Sequence, residues 1–156
     1  MTFQRDGSAS TYGSTHSKPP GGLLAAGWLS ADHPFDQGPV GDPSEHDLFC
    51  DRLFEACRSN VVAKMRGYHD CEFCDQVVRD PTHPSGWRVP DMRIEERNGV
   101  KTWVGNGEVR VTEPSGIRWT APTMIYHYVV AHGYKPPGGF VNGVLRGTFD
   151  PPETLR

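Results

Sequence analysis

The spacing of hydrophobic positions predicts a helix and then a strand in the first half of the chain. Apolar residues recur at helical spacing over 44–58, behind a capping-box-like start formed by Ser44 and Asp47. The predicted apolar face consists of Leu48, Phe49, Leu53, Phe54 and Cys57. The β-branched run at 61–65 is short and predicts a strand that pairs with the sheet described next.

Alternating residues dominate the middle of the chain and predict hairpins. The runs "MRIEE", "KTWVG", "EVRVT" and "IRWT" are separated by turn-forming residues, including Asn-Gly at 98–99 and 106–107. Asn-Gly suits two-residue hairpin turns because both residues tolerate positive φ. The expected element is an antiparallel meander of three or four strands across about 87–119.

Helical spacing returns after the predicted meander. A helix is expected over 121–132, with Thr120 as its cap and Gly133 as its end. A further short helical turn could form through Phe140 and Val144, although neighbouring glycines weaken that prediction. The expected fold is therefore α+β: a small antiparallel β-meander with two main helices and a zinc-knuckle-like C-x2-C turn.

Composition sets the expected limits of the folded unit. The chain has 156 residues, which suits one domain, but 18 Gly and 14 Pro imply long irregular segments. The first twenty residues are rich in Ser, Thr and Gly and cannot bury enough apolar surface to offset ordering entropy. We expect a disordered N-terminal tail over 1–22, a single domain over 23–146 and a C-terminal tail over 147–156.

Charge and hydropathy argue against several classes of partner. The net charge is -3 and the basic residues are scattered, so nucleic-acid binding is unlikely and no polybasic membrane patch is visible. A solvated polar face is the favoured interpretation of one possible basic-aromatic platform, formed by Arg93, Arg110, Arg118 and either Trp103 or Trp119. The longest apolar stretch, "GGLLAAGWL", is too short to span a membrane. The expected protein is cytoplasmic, with reduced cysteines.

Two Cys and two His suggest a zinc site. Cys71 and Cys74 form a C-x2-C pair, and His127 and His132 have the H-x4-H spacing of the other half of such a site. Residues five apart on an ideal helix point about 140° apart, so His132 can join only if the helix tightens or ends there. His69 is the alternative fourth ligand. A redox dithiol and an inert pair of thiols remain open as alternatives.

Three functional classes remain open, of which the first two depend on this site. The favoured one is a structural Zn²⁺ ion that supports a protein-interaction domain. The second is a zinc-dependent hydrolase-like enzyme with an open coordination position and Glu108 or Glu72 as base, and the third is weak nucleic-acid binding. The remaining cysteines, Cys50 and Cys57, are expected to be buried in the first helix rather than to join the site.

Four separated motifs resemble those of a known family. "GWLSADHPF", "MRGYHDCEFC", "GNGEVRV" and "APTMIYHYVVAHGYKPP" are similar, in the same order, to a family of small, functionally uncharacterised bacterial proteins widespread in actinobacteria. The resemblance covers about 24–146 and implies that the arm from Gly27 belongs to the folded unit. It implies no activity. The chain departs from it at "GGFVNG", where relatives have an acidic helix-forming segment, which weakens the case for a C-terminal helix.

Overall fold

Three helices and eight strands form the described part of the molecule. The computed structural model describes residues 3–10, 22–64, 69–74, 78–79, 81–88 and 94–153. The helices are α1 (Pro43–Ser59), α2 (Ile125–His132) and α3 (Gly138–Arg146). The strands are β1 (Leu24–Ala25), β2 (Val78–Arg79), β3 (Trp87–Arg88), β4 (Ile94–Arg97), β5 (Val100–Trp103), β6 (Glu108–Thr112), β7 (Arg118–Pro122) and β8 (Thr148–Phe149). The predicted α+β class is confirmed.

Helix α1 has the predicted position, but it starts at a different residue and its buried face is rotated toward Cys50. Its N-cap is Asp42, whose carboxylate accepts a 2.8 Å hydrogen bond from the Glu45 backbone N–H, so the expected cap at Ser44 was wrong. The buried face extends from Phe49 toward Cys50. Leu48 lies about 100° from Phe49 around the helix axis, on the side away from Cys50. It is 50% exposed, so its predicted burial was also wrong.

The core sheet has four strands in the order β1-β7-β6-β8. Strands β6 and β7 are antiparallel, with Val109 opposite Ala121 and Val111 opposite Trp119. All four of these side chains are buried in the main hydrophobic cluster together with apolar residues of α1 and α2. Strand β1 lies parallel to β7 at the sheet edge, and β8 lies antiparallel to β6 at the other.

The predicted meander is divided between sheets. Strands β4 and β5 form a hairpin around Asn98 and Gly99, as expected, but within the described residues this hairpin is a separate two-stranded sheet. Strands β2 and β3 form another two-stranded sheet. The expected strand at 61–65 contributes one bridge, between Val62 and Glu108, and residue 65 lies outside the described ranges.

The second predicted helix begins later than expected. Residues 118–122 belong to β7, where Thr120 is buried opposite Arg110, so Thr120 does not cap a helix. Helix α2 begins at Ile125, although it ends at His132 before Gly133, as predicted. The antiparallel pairing of 118–122 with β6, together with the burial of residues 119–122, outweighs the helical spacing of the residues that follow.

Helix α3 forms despite its glycines. Phe140 and Val144 are fully buried in the core, which supplies the packing energy that the glycine-rich sequence lacks. A Cβ atom at Gly143 would lie 3.1 Å from Val111 Cγ1, so the glycine lets α3 approach the sheet closely. None of the helices in the described ranges is long and apolar enough to cross a membrane.

Two described segments lie within the predicted tails. Near the N-terminus, Gln4 N–H donates to Trp28 O at 3.1 Å and Ser10 N–H donates to Leu23 O at 2.7 Å. Near the C-terminus, β8 pairs with β6. These contacts are backbone hydrogen bonds, which amino-acid composition does not predict. Residues 11–21 lie outside the described ranges, and the limits of the domain stay a prediction.

Candidate metal centre

The C-x2-C pair lies in a tight turn that presents both thiols in one direction. We call residues 69–74 the knuckle. The Cys74 N–H donates to Cys71 O at 3.3 Å, and the Phe73 N–H donates to Cys71 Sγ at 3.4 Å. Donation of a backbone N–H to sulfur stabilises negative charge on that sulfur, as a thiolate ligand requires. The local chain therefore places both sulfur ligands of the candidate site before any distant residue contributes.

Helix α2 supplies two imidazoles at its C-terminal end. Gly133 adopts a left-handed conformation with φ of 67°, and the N–H groups of Gly133 and Tyr134 both donate to Tyr128 O. The helix thus ends at His132, which was the condition for His127 and His132 to reach one point. Their ring centroids lie 5.1 Å apart.

The two halves meet across more than fifty residues of sequence. Cys74 Sγ lies 3.2 Å from His127 Nε2 and 3.0 Å from His132 Nε2, and Cys71 Sγ lies 3.3 Å from His132 Nε2. The ligand atoms of all four residues lie within 4.8 Å of one another. We call Cys71, Cys74, His127 and His132 the four-residue cluster. No other group of three or more metal-binding side chains occurs within the described ranges.

The spacing of these donors can accommodate a metal ion. Bonds of about 2.3 Å to sulfur and about 2.0 to 2.1 Å to nitrogen place tetrahedral S and N donors about 3.6 Å apart. The S to N distances in the cluster are a few tenths of an ångström shorter, which small side-chain rotations can correct. The residues present therefore fit a four-coordinate ion with two sulfur and two nitrogen ligands.

His69, the alternative ligand, is not a member of the four-residue cluster. Its backbone N–H donates to Gly105 O at 2.8 Å, which joins the knuckle to the segment after β5. A Cβ atom at Gly105 would lie 2.6 Å from His69 O, so the absence of a side chain there permits this close approach. His69 contributes to the position of the knuckle through its backbone.

Burial favours the neutral forms of the Cys71 thiol and the His132 imidazole. The pKa of the Cys71 thiol is raised to about 12, mainly by burial and in part by the neighbouring Cys74 thiol, whereas the Phe73 N–H lowers it. Burial also lowers the pKa of His132, and the nearby His127 adds to this effect. The neutral His132 ring keeps a lone pair available, and a bound cation would replace the proton of the Cys71 thiol.

His127 has an acidic partner that the sequence analysis missed. The side chain of Glu95 contacts His127 Nδ1 through its Oε1 atom, while Nε2 of the same ring faces Cys74. His127 is buried, with 4% of its surface exposed. Metal-binding histidines commonly donate their second ring N–H to a carboxylate in this way. The signal available in the sequence was the alternation of residues along β4, which places Glu95 and Arg97 on the same face of the strand.

Phe73 fixes the knuckle to the rest of the domain. Its ring lies 5.1 Å from that of Phe35, 5.8 Å from that of Tyr128 and 5.5 Å from that of His132, measured between centroids. Phe35 belongs to the arm that precedes α1. The arm, the knuckle and α2 therefore share one aromatic cluster beside the candidate ligands.

The two candidate bases lie outside the four-residue cluster. Glu108 is 1% exposed on β6, its side chain is paired with Arg110, and burial raises its pKa despite this partner. Glu72 accepts a 3.4 Å hydrogen bond from the Ala31 N–H through Oε1. Each of the two carboxylates therefore contacts another group of the protein: Arg110 for Glu108 and the Ala31 N–H for Glu72.

The remaining sequence candidates are used for packing or surface pairing. Cys50 and Cys57 are buried free thiols in α1, as predicted, and burial raises the pKa of Cys57 to about 12. Arg110 pairs with a carboxylate on its own strand, and Arg118 pairs with Asp150. Trp119 is buried in the core sheet whereas Trp103 is exposed on the hairpin. Arg110 and Arg118 share one face of the core sheet, but Trp119 lies on the opposite face and Trp103 belongs to a different sheet. Arg93 lies outside the described ranges.

Comparison with protein families places the chain in one of them. The family described as "Domain of unknown function (DUF7919)" matches residues 2–145. The chain belongs to this family. The matched region contains the arm, the knuckle and α2, so all members of the four-residue cluster lie within the family domain. No curated protein and no solved structure matches the chain.

Proposed function

We propose that the chain is a small zinc-binding module, in which a closed Zn²⁺ site with four protein ligands stabilises a protein-interaction domain. The observation that carries the proposal is the convergence of Cys71, Cys74, His127 and His132. Two thiolates and two imidazoles in a tetrahedral arrangement are a preferred ligand set of structural Zn²⁺. The protein partner and a cytoplasmic location are part of the proposal.

A structural role suits the position of the site. Cys71 and His127 are buried, and the cluster joins the knuckle to the end of α2. Metal binding contributes folding free energy when the unfolded chain has no preformed site. That contribution matters here because a large part of the chain is irregular, and the zinc would hold the knuckle where regular secondary structure does not.

The hydrolase-like alternative has less support. A catalytic Zn²⁺ usually has three protein ligands and one open position, with a nearby carboxylate acting as base. The cluster offers four donors, and neither Glu108 nor Glu72 belongs to it. Nucleic-acid binding has less support still, because Arg110 and Arg118 are each paired with a carboxylate.

Zinc content of the purified protein tests the proposal. Protein prepared without added zinc should contain stoichiometric zinc, which Cys71→Ser and His127→Ala should each lose. The matched control is Cys57→Ala, which removes a buried thiol outside the cluster and should keep the metal. His69→Ala should also keep it. The absence of zinc in the parent, or its retention in both ligand variants, would reject the site.

The ligand number separates the structural role from the enzymatic one. Cobalt substituted for zinc gives strong visible absorption when it is tetrahedral, and its bands report the number of thiolate ligands. Two thiolates with His127 and His132 as the other ligands would support the closed site. A five-coordinate spectrum, or one that responds to added anions, would favour an open position and the hydrolase-like alternative.

A further inference from the structure

The β4–β5 hairpin has an unusual distribution of charged and apolar residues. Its inward face carries Glu95 and Arg97 together with Thr102 and Val100. Its outward face carries Glu96 and Lys101 together with the apolar residues Ile94 and Trp103, which are 39% and 53% exposed. Soluble hairpins normally bury the apolar face and expose the polar one. The inward charges of this hairpin therefore need specific partners in the domain.

Two hairpin residues, Arg97 and Glu95, attach the hairpin to the helices through ionic contacts. Arg97 donates to Asp51 at 2.5 Å and to the Asp47 carboxylate at 2.8 Å, both on α1. Glu95 contacts His127 Nδ1 on α2. Within the described residues the hairpin pairs with no strand of another sheet. A two-stranded hairpin is marginally stable alone in water, so its position depends on contacts of this kind.

We propose that Glu95 is a positioning residue of the metal centre and that metal occupancy controls the docking of the β4–β5 hairpin. The inference rests on the proposed zinc function. By accepting a hydrogen bond from Nδ1–H of His127, Glu95 selects the tautomer in which the Nε2 lone pair faces Cys74. In the other tautomer, the Nδ1 lone pair would face the carboxylate and repel it.

The coupling acts in both directions. A cation at Nε2 withdraws electron density from the ring of His127 and makes its Nδ1–H a stronger donor to Glu95. The same contact raises the basicity of the imidazole toward the metal. Metal binding thus strengthens one of the two anchors of the hairpin, and a docked hairpin strengthens metal binding, as reciprocal linkage requires. The metal would fix the orientation in which Ile94 and Trp103 are presented to solvent.

The test compares Glu95 with its neighbour on the opposite face. Glu95→Ala removes the contact with His127, whereas Glu96→Ala, the matched control, removes an exposed carboxylate that lies opposite Lys101. Competition with a chromogenic chelator should show zinc binding about 10- to 100-fold weaker in Glu95→Ala and unchanged in Glu96→Ala. Glu95→Gln, whose amide oxygen can still accept from Nδ1–H, should recover part of the loss. If Glu95 acted only through its negative charge, Glu95→Gln would bind zinc as weakly as Glu95→Ala.

Hydrogen exchange of the parent protein tests the coupling without any substitution. Amides of residues 94–103 should lose protection when zinc is removed from the parent and regain it when zinc is returned. In Glu95→Ala their exchange should no longer respond to zinc. A parent that binds no zinc would reject the proposed function and this inference together. A zinc-binding parent in which Glu95→Ala matches Glu96→Ala, or in which protection of the hairpin ignores zinc, would reject this inference alone.

Discussion

Removal of the metal should destabilise the domain by an amount that follows from the separation of the ligands. Cys74 and His127 are 53 residues apart in sequence, and a shared metal ion closes the chain between them into a loop. A cross-link around a loop of this length lowers the entropy of the unfolded chain by an amount worth about 4 kcal/mol at 25 °C. We therefore expect metal removal to cost about 4 kcal/mol of unfolding free energy.

This cost would be visible as a large shift in the unfolding temperature. Domains are typically stable by about 5 to 15 kcal/mol, so the predicted loss is a major part of the total. For a chain of this length, each kcal/mol shifts the midpoint by about 2 to 4 °C, which gives a decrease of roughly 8 to 16 °C. The metal-free protein should remain folded near room temperature only if the apolar core alone makes the free energy of unfolding positive.

Thermal unfolding followed by circular dichroism provides the measurement. The zinc-loaded protein is compared with protein stripped by a chelator and desalted, and returned zinc should restore the midpoint. Cys74→Ser should behave like the stripped protein in the presence of zinc, whereas Cys50→Ser, a substitution of a buried thiol outside the cluster, should still gain stability from zinc. If zinc content is stoichiometric and removal shifts the midpoint by less than about 2 °C, the cross-link reasoning is refuted.

Two further substitutions test polar contacts away from the metal. Tyr134→Phe removes the hydroxyl that donates to Asp6 at 2.7 Å and should cost about 1 kcal/mol in urea unfolding. In an Asp6→Asn background this cost should fall, and an equal cost would contradict the pairing. Burial raises the pKa of Glu108 above 4.5, so its contribution to stability is full below that value and is lost as pH rises through the folded-state pKa. The free energy of unfolding of the parent, measured relative to that of Glu108→Gln, should therefore fall as pH rises above about 4.5, and a difference that does not change with pH would exclude this origin.

The members of the candidate site could be proposed from sequence because their chemistry is rare and their spacing is informative. Cys71 and Cys74 form a recognisable pair, and the glycine after His132 indicated where the helix ends. Glu95 could not be selected in the same way, because carboxylates are common and its role depends on a contact with His127 across two elements. The metal-ligand chemistry of Cys and His was visible in the sequence, whereas the contact between Glu95 and His127 was not.

The same distinction applies to the fold. The α+β class and the β4–β5 and β6–β7 hairpins follow from local alternation and turn chemistry. The parallel pairing of β1 with β7 joins Leu24 to Trp119 and has no local signal. The strand at 118–122 was assigned in part to a helix because its partner β6, which decides its conformation, lies outside any local window.

The separation of the two halves of the cluster also determines when it can be completed during synthesis. His132 follows Cys74 by 58 residues, so the thiols leave the ribosome well before the last imidazole does. At about 5 to 20 residues per second, the interval is roughly 3 to 12 s. During that time the nascent chain carries two exposed thiols without their imidazole partners, open to oxidation or to capture of a metal by an incomplete ligand set. The order of translation therefore leaves the thiols of the knuckle without their imidazole partners until His132 has been added to the chain.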